Sequence, residues 1–286
     1  MEISNACYYG IQTQRAVKNF KITGIPISSE PEFVKALAFV KKAAAISNVE
    51  LNLLSSRIGE AICKACDEII AGKFIGQFVV DVIQGGAGTS TNMNANEVIA
   101  NRALEIIGHQ KGEYDQIHPN NHVNCSQSTN DAYPTALRLA LHQKLDDMKQ
   151  PMKLLRKSFS KKGKEFFDVI KMGRTQLQDA VPMTLGQQFS GYATTIGEDI
   201  KLLEQTKKLI LEINLGATAI GTGINTHPKY ARVVTKHLRK ITGIPVVTSP
   251  NLIEATWDTG AYVQISGVLK RIAVKISKIC NDLRLL

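Results

Sequence analysis

Residues 261–286 read AYVQISGVLKRIAVKISKICNDLRLL, and the apolar spacing of this stretch decides the fold class. Apolar residues recur every three or four positions, at Ile265, Leu269, Ile272, Ile276, Ile279 and Leu283. This near-heptad spacing predicts a long helix whose single apolar seam packs against other helices. The pattern reaches Leu286 without a stop signal, so we expect the protein to continue beyond that residue.

The preceding residues predict further helices and therefore an all-α protein. A helix of about twenty residues begins near Phe33, where apolar positions recur with helical spacing. Other helical stretches are predicted at residues 57–71, 92–107, 132–167 and 185 to about 213. Turn formers dominate residues 1–32, which we expect to form an extended arm without a helix.

Composition limits the class of protein and its partners. The chain has 286 residues, of which 44% are hydrophobic and 21% charged, as in a globular protein with a large core. The net charge of +10 is spread along the chain without a recognition motif, so we predict no nucleic-acid partner. No run reaches the roughly 18 apolar residues of a membrane span, so no membrane partner is predicted. Five cysteines without framework spacing indicate reduced thiols and a cytoplasmic location.

Three polar segments at the ends of predicted helices carry the candidate site. They span residues 85–96, 120–131 and 173–179, and they are rich in hydroxyl and amide side chains. If the segments converge, these groups form a donor-rich pocket that suits a carboxylate. Each segment taken singly also has the composition of an ordinary helix cap, and both interpretations stay open at this point.

Two other patterns have the spacing of metal or redox sites but lack the necessary partners. Cys63 and Cys66 form a CxxC pair without a second pair or a His at zinc-finger distance. His118 and His122 are separated by Pro119, and no Glu lies between them as in a metalloprotease helix. We therefore predict no metal site. The Gly-rich residues 85–88 lack the Lys and Ser/Thr of a phosphate loop, and no cofactor is predicted.

Longer motifs resemble one known family over the whole chain, the fumarase/aspartase superfamily. The stretches that carry the resemblance are YGIQTQRAVKNF at residues 9–20 and residues 85–101, 124–135 and 172–187. Others resemble the aspartase branch more than the fumarase branch, namely GHQKGEY at 108–114, STNDAY at 128–133 and NLGATAIGTG at 214–223. Gln176 agrees with this, because fumarases usually place His at that position.

The resemblance implies a carbon–nitrogen lyase that interconverts L-aspartate with fumarate and ammonia through an aci-carboxylate, without a cofactor. It implies that six residues contact the amino and carboxylate groups of this small-molecule substrate, namely Thr89, Ser128, Thr129, Asn130, Thr175 and Gln176. The family's base is a Ser in a Gly-Ser-Ser loop followed by Met-Pro-x-Lys-x-Asn-Pro. Residues 1–286 contain no such loop, so we expect the catalytic Ser beyond Leu286 and no lyase activity in a protein that ends there.

The resemblance also implies an architecture. An N-terminal helical domain is expected at residues 1–127 and a long-helix bundle at residues 128–286, completed by assembly into a homotetramer. Each active site of such a tetramer draws loops from three chains. Two rival interpretations remain: a fumarate hydratase, which adds water instead of ammonia, and a helical homologue that has lost catalysis.

Overall fold

Helices make up most of the described chain, which confirms the predicted all-α class. The computed structural model describes residues 3–84 and 86–285; Gly85, in the first polar segment, and Leu286, at the end of the apolar seam, lie outside the described residues. The α-helices are α1 (Ile11–Asn19), α2 (Pro31–Glu50), α3 (Ser56–Ile70), α4 (Thr89–Ile106), α5 (Thr129–Glu165), α6 (Leu185–Lys207), α7 (Tyr230–Thr242), α8 (Leu252–Trp257) and α9 (Gly260–Leu285). The short strands are β1 (Ile170–Thr175), β2 (Gln178–Thr184), β3 (Glu212–Ile213) and β4 (Val247–Thr248).

The chain forms two compact units. Unit 1 comprises residues 1–141 and 211–258, and unit 2 comprises residues 142–210 and 259–286. The domain boundary predicted after residue 127 stays a prediction. Among the described residues, no helix combines the length and the apolar composition that crossing a lipid bilayer requires.

Unit 1 is built around α2, which contacts α3, α4 and α7. Twelve of the 20 residues of α2 are buried, because apolar and small side chains occupy most of its circumference. The buried residues of α2 include the polar Lys41 and Asn48. They lie on the side of α2 that faces the loop at residues 124–127.

The extended arm predicted at residues 1–32 is wrong over Ile11–Asn19, which form α1. The buried carboxylate of Glu97, in α4, accepts hydrogen bonds from the backbone N–H groups of Gly10 (2.8 Å), Gln12 (2.9 Å) and Thr13 (3.0 Å). These groups have no acceptor within a helix, and a carboxylate at this end also complements the helix dipole. A side chain that is distant in sequence therefore caps this helix.

A second buried carboxylate, Asp81, holds the arm after α1. Its oxygens accept from the Thr23 and Gly24 N–H groups at 2.8 Å each, from the Thr23 hydroxyl at 2.8 Å and from the Ile83 N–H at 2.9 Å. Burial alone raises the pKa of a carboxyl, but these hydrogen bonds lower the pKa of Asp81 to about 2. Asp81 is therefore ionised at neutral pH.

Unit 2 contains the end of α5, the β1–β2 hairpin, α6 and α9. Helices α6 and α9 pack together, and the buried Asp199 of α6 binds Arg271 and Lys275 of α9 at 2.9 Å each. The predicted seam of α9 is buried at Ile265, Ile272 and Ile279, joined by Val268. Leu283 of the same seam is 40% exposed.

Residues 170–184 form an antiparallel hairpin where the sequence predicts only a polar interruption. Gln176 and Leu177 make its two-residue turn with φ of 48° and 62°, a left-handed conformation that Gly or Asn adopts more readily. Helix α6 then begins with a capping box formed by Thr184 and Gln187. It ends at Lys207, earlier than the predicted end near Ile213, and Ile213 pairs with β4 instead.

Candidate active site

Two helices of unit 1 begin beside each other and bring predicted site residues together. Thr89 is the first residue of α4, and Thr129 is the first residue of α5. Asn92, one turn further along α4, donates from Nδ2 to the Thr129 hydroxyl at 3.2 Å. The first-turn N–H groups of both helices lack intrahelical acceptors and carry partial positive charge, which favours an anion.

Gly88 permits this close approach of the two helix starts. Its φ is +89°, and a Cβ built on it lies 2.5 Å from the Tyr133 ring of α5. Any other residue therefore displaces Tyr133, whose ring packs edge-on against Phe33 of α2 at 5.1 Å. The Gly-rich segment thus lets α4 and α5 begin in contact.

Ser128 caps α5, as the capping interpretation of this segment predicts. Its hydroxyl accepts from the Asn130 N–H at 3.2 Å, and its own N–H donates to Asp131 Oδ1 at 2.9 Å. Since the Ser128 oxygen already accepts a hydrogen bond, its hydrogen remains for donation to another group. The cap therefore leaves Ser128 suited to bind a carboxylate.

The buried Asp131 fixes the segment at residues 214–219 beside this helix start. Its Oδ2 accepts from the N–H groups of Gly216 at 3.1 Å and Thr218 at 2.9 Å. Burial raises the pKa of Asp131 to about 6, while these N–H donors and the charge of Lys41 oppose the shift. Asn130 joins the same segment by donating from Nδ2 to the Ala219 carbonyl at 2.7 Å, so the amide oxygen of Asn130 is directed elsewhere as an acceptor.

Lys41 lies beneath these residues and is fully buried. Its Nζ donates to three amide oxygens, Asn92 Oδ1 at 2.7 Å, Asn124 Oδ1 at 2.8 Å and Gln127 Oε1 at 3.0 Å. Burial lowers the pKa of Lys41 to about 7, and the negative charge of Asp131 opposes the shift. The polar groups of α2, α4 and α5 thus form one hydrogen-bonded cluster.

Thr89 is hydrogen-bonded within the protein, whereas Thr175 and Gln176 are exposed. The Thr89 hydroxyl donates to the Gly86 carbonyl at 2.8 Å, so it must rotate before it donates to an anion. Thr175 and Gln176 lie at the exposed tip of the β1–β2 hairpin in unit 2. Unit 1 therefore brings Thr89, Ser128, Thr129 and Asn130 to the adjoining helix starts, and the roles of all six residues stay predictions.

The histidines of the second polar segment stabilise a tight turn at Pro119–Val123. His118 Nδ1 accepts from the N–H groups of Asn120 at 3.0 Å and Asn121 at 3.2 Å, and His122 Nδ1 accepts from the His118 N–H at 2.9 Å. His118 also lines a cavity of about 580 Å³ beside Arg15 and Lys111. The predicted substrate contacts do not line this cavity.

The CxxC pair belongs to α3. Cys63 and Cys66 are both free thiols, and burial raises the pKa of Cys63 to about 11 and shifts that of Cys66 upward as well. Thiols held protonated in this way are poor nucleophiles and poor metal ligands. In the described part of the chain, no three His, Cys, Asp or Glu side chains are grouped closely enough to hold a metal ion.

Sequence reasoning missed Lys41 as a member of the site and placed Asn92 only within the polar segment at residues 85–96. Lysines in a helix are normally exposed, so the residue type alone does not distinguish Lys41 from the other Lys and Arg residues, 35 in all. Its position gives a usable signal, because it follows Leu37 by four residues and so falls on the apolar face of α2. A lysine on a buried face needs several acceptors, and the Asn- and Gln-rich segments supply them.

Relatives of known name match the whole chain. Its sequence is 61% identical over 286 residues to the aspartate ammonia-lyase of Helicobacter pylori, 59% identical over 287 residues to that of Pseudomonas fluorescens, and 54% identical over 286 residues to that of Escherichia coli. These matches cover 100% of this chain but only 61%, 60% and 60% of the relatives. The chain thus spans about three-fifths of their length.

Solved structures and a family model agree with these relatives. The fold superposes on the cobalt-bound fumarate lyase:delta crystallin of Brucella melitensis with a TM-score of 0.98 and 56% identity, covering 99% of this chain and 62% of that one. For the class II fumarase of Schistosoma mansoni the TM-score is 0.91 and the identity 32%, with 98% and 62% covered. The family model described as "Lyase" matches residues 1–286. The chain therefore belongs to this lyase family, as its resemblance to the fumarase/aspartase superfamily predicted.

Proposed function

We propose that the protein catalyses the reversible deamination of L-aspartate to fumarate and ammonia. One observation carries the proposal: the Ser128 and Thr129 hydroxyls, at the start of α5, each accept a hydrogen bond from the protein. In the described part of the chain neither hydroxyl donates to a protein acceptor, so both hydrogens are available to a carboxylate. The 54–61% identity to aspartate ammonia-lyases, against 32% to a class II fumarase, supports an amino-acid substrate.

The polarity of the site suits each part of aspartate. Removal of a proton from the carbon next to the side-chain carboxylate places a second negative charge on that group as an aci-carboxylate. The electron pair then forms the double bond of fumarate as the C–N bond breaks and ammonia leaves. Preorganised hydroxyl and N–H donors stabilise the developing charge. The amide oxygen of Asn130, which has no donor among the described residues, is an acceptor for the substrate ammonium group. Thr175 and Gln176 are proposed to hold the other carboxylate.

The base is proposed to be a Ser of a mobile loop outside residues 1–286. The relatives are longer than the matched region, and a base that approaches only when substrate is bound fits the general behaviour of active-site lids. No cofactor takes part in the proposed chemistry.

We also propose a homotetramer in the cytoplasm, with each site built from three chains. Exposed apolar residues of α9 support the assembly, since Val263 is 68% exposed and Val274 is 60% exposed. The five free thiols support a reducing compartment.

The proposal is tested by following fumarate absorbance in the ultraviolet with the product of the complete reading frame. L-Aspartate should yield fumarate, and fumarate should be consumed with ammonium but not in water alone. A matched protein that ends at Leu286 should be inactive, because it lacks the proposed base. Consumption of fumarate in water without ammonium supports the fumarate hydratase alternative instead. If neither reaction occurs, the result supports the non-catalytic homologue.

A further inference from the structure

We infer that Lys41 is a positioning residue that makes the Thr129 hydroxyl an obligate hydrogen-bond donor toward the substrate. This inference rests on the proposed function, in which Thr129 binds a substrate carboxylate. Lys41 itself is fully buried, so it acts through Asn92.

The number of partners around Lys41 matches an ammonium group. Three amide oxygens surround Nζ at 2.7–3.0 Å, and an ammonium has three hydrogens to give and no lone pair. Each of the three amides must therefore turn its oxygen, and not its NH2 group, toward Lys41. A buried charge of this kind is costly unless all its hydrogen bonds are made, so the orientation of the amides is strongly enforced.

The orientation of Asn92 determines the direction of the next hydrogen bond. With Oδ1 directed at Lys41, the Nδ2 group points away and donates to Thr129 Oγ1 at 3.2 Å and to Asn124 Oδ1 at 3.1 Å. Lys41 holds the Asn124 amide with its oxygen toward this cluster, so Asn92 is the donor in the bond between the two amides. Lys41 therefore donates to Asn92, and Asn92 donates to Thr129.

Thr129 is the last protein group in this series. Its oxygen accepts from Asn92, and within residues 3–84 and 86–285 no acceptor for its hydroxyl hydrogen is found. The residue is half-buried at the first position of α5, where the backbone N–H groups are also donors. A carboxylate that contacts Thr129 therefore meets the hydroxyl hydrogen beside the backbone N–H donors of this helix start.

Without the ammonium, the series can reverse. A neutral apolar residue at position 41 leaves Asn92 free to turn its oxygen to Thr129, whose hydroxyl then donates inward and presents lone pairs to the carboxylate. Loss of a single preorganised donor to a developing oxyanion typically lowers kcat about 10²–10³-fold. A merely structural lysine instead changes stability, with the same effect on catalysis whatever residue occupies position 129.

A double-mutant cycle separates the two roles. Lys41→Met, Thr129→Val and the double variant are made in the product of the complete reading frame and assayed at pH 6.5, below the lowered pKa of Lys41. Each single change should lower kcat/KM for L-aspartate about 10²–10³-fold. In the Thr129→Val background, Lys41→Met should lower kcat/KM by less than a further factor of about three, because the hydroxyl that Lys41 orients is absent. Equal factors in both backgrounds overturn the inference.

Two further variants keep the test decisive if Lys41→Met fails to fold. Asn92→Asp keeps the shape and the acceptor for Lys41 but cannot donate to Thr129, so it should fold and lose kcat/KM only while Thr129 is present. Lys42→Met, at the neighbouring lysine that pairs with Asp67 at 2.5 Å, is the matched control and should change kcat/KM less than about twofold. An Asn92→Asp protein that retains full activity contradicts the inference.

Failure of the proposed function is distinguishable from failure of this inference. If the unmodified protein forms no fumarate from L-aspartate, the same cycle is read by calorimetric binding of succinate, which has two carboxylates and no amino group. Succinate binding with a non-additive cycle supports the role of Lys41 and rejects only the proposed reaction. Additive losses, or no succinate binding at all, reject the role of Lys41.

Discussion

Helices α2 and α9 have similar apolar periodicity, yet they are buried to different extents. Twelve of the 20 residues of α2 are buried within unit 1, against four of the 26 residues of α9 within unit 2. Helix α2 is more buried because α3, α4 and α7 of the same chain pack around it. The apolar face of α9 that carries Val263 and Val274 stays exposed among the described residues, as the proposed interface with other copies requires.

The largest predicted effect comes from a matched pair of leucines, one in each unit. Leu37 of α2 is fully buried, whereas Leu154, in the unit 2 part of α5, is 65% exposed. Leu37→Ala should lower the free energy of unfolding by about 2–5 kcal/mol, because it leaves a cavity. Leu154→Ala should change it by less than about 0.5 kcal/mol. Urea unfolding of the 286-residue chain measures both, and equal losses would show that unit 2 is packed as completely as unit 1.

A smaller effect is expected at the arm of unit 1 and depends on pH. The folded pKa of Asp81, about 2, lies below its ordinary value of 3.8, so its ionised form stabilises the folded state. This stabilisation is fully present above about pH 4 and is lost as the pH falls through 2. The difference in urea midpoint between the natural chain and Asp81→Asn should therefore be constant from pH 7 to 4 and shrink below that. A difference that stays constant down to pH 2 contradicts the assignment.

The smallest effect on the single chain is expected on the outer face of α9. Val274→Asp should change the unfolding free energy of the 286-residue chain by less than about 0.5 kcal/mol, since the residue is 60% exposed. In the product of the complete reading frame, the same change places an unpaired charge in the proposed interface and should lower the mass measured by sedimentation. Ser158→Asp, at an exposed position of α5, is the control and should leave the mass unchanged. A tetramer that survives Val274→Asp would exclude this face as the interface.

Local periodicity predicted the helices whose pattern is continuous, and it failed where distant residues decide the structure. The predicted starts of α2 and α6 lie within about two residues of the observed ones, since Phe33 and Leu185 begin clear apolar repeats. Helix α1 was missed because its cap, Glu97, is far away in sequence. The hairpin at residues 170–184 was missed because Gln176 and Leu177 lack the Asn-Gly signature of a two-residue turn.

The candidate site was predictable in its outer residues only. Hydroxyls and amides near helix starts predict a site for a carboxylate, and the structure places Ser128, Thr129 and Asn130 at the start of α5. The direction of each hydrogen bond was not predictable, because it depends on Lys41, which approaches from α2, and on the backbone N–H groups of Gly216 and Thr218, which bind Asp131. Which groups donate and which accept follows from three-dimensional neighbours.

Glu97 follows Gly10 by 87 residues. The ribosome therefore synthesises α1, α2 and α3 before the carboxylate of Glu97, which accepts from the start of α1, exists. A nine-residue helix is marginal on its own in water, and its first N–H groups stay hydrated until a carboxylate reaches them. Residues 11–19 should therefore become helical late during translation, after α4 has emerged from the ribosome and packed against them. A nascent chain stalled before residue 97 should expose this amino-terminal segment to a protease, and release of the stall should protect it.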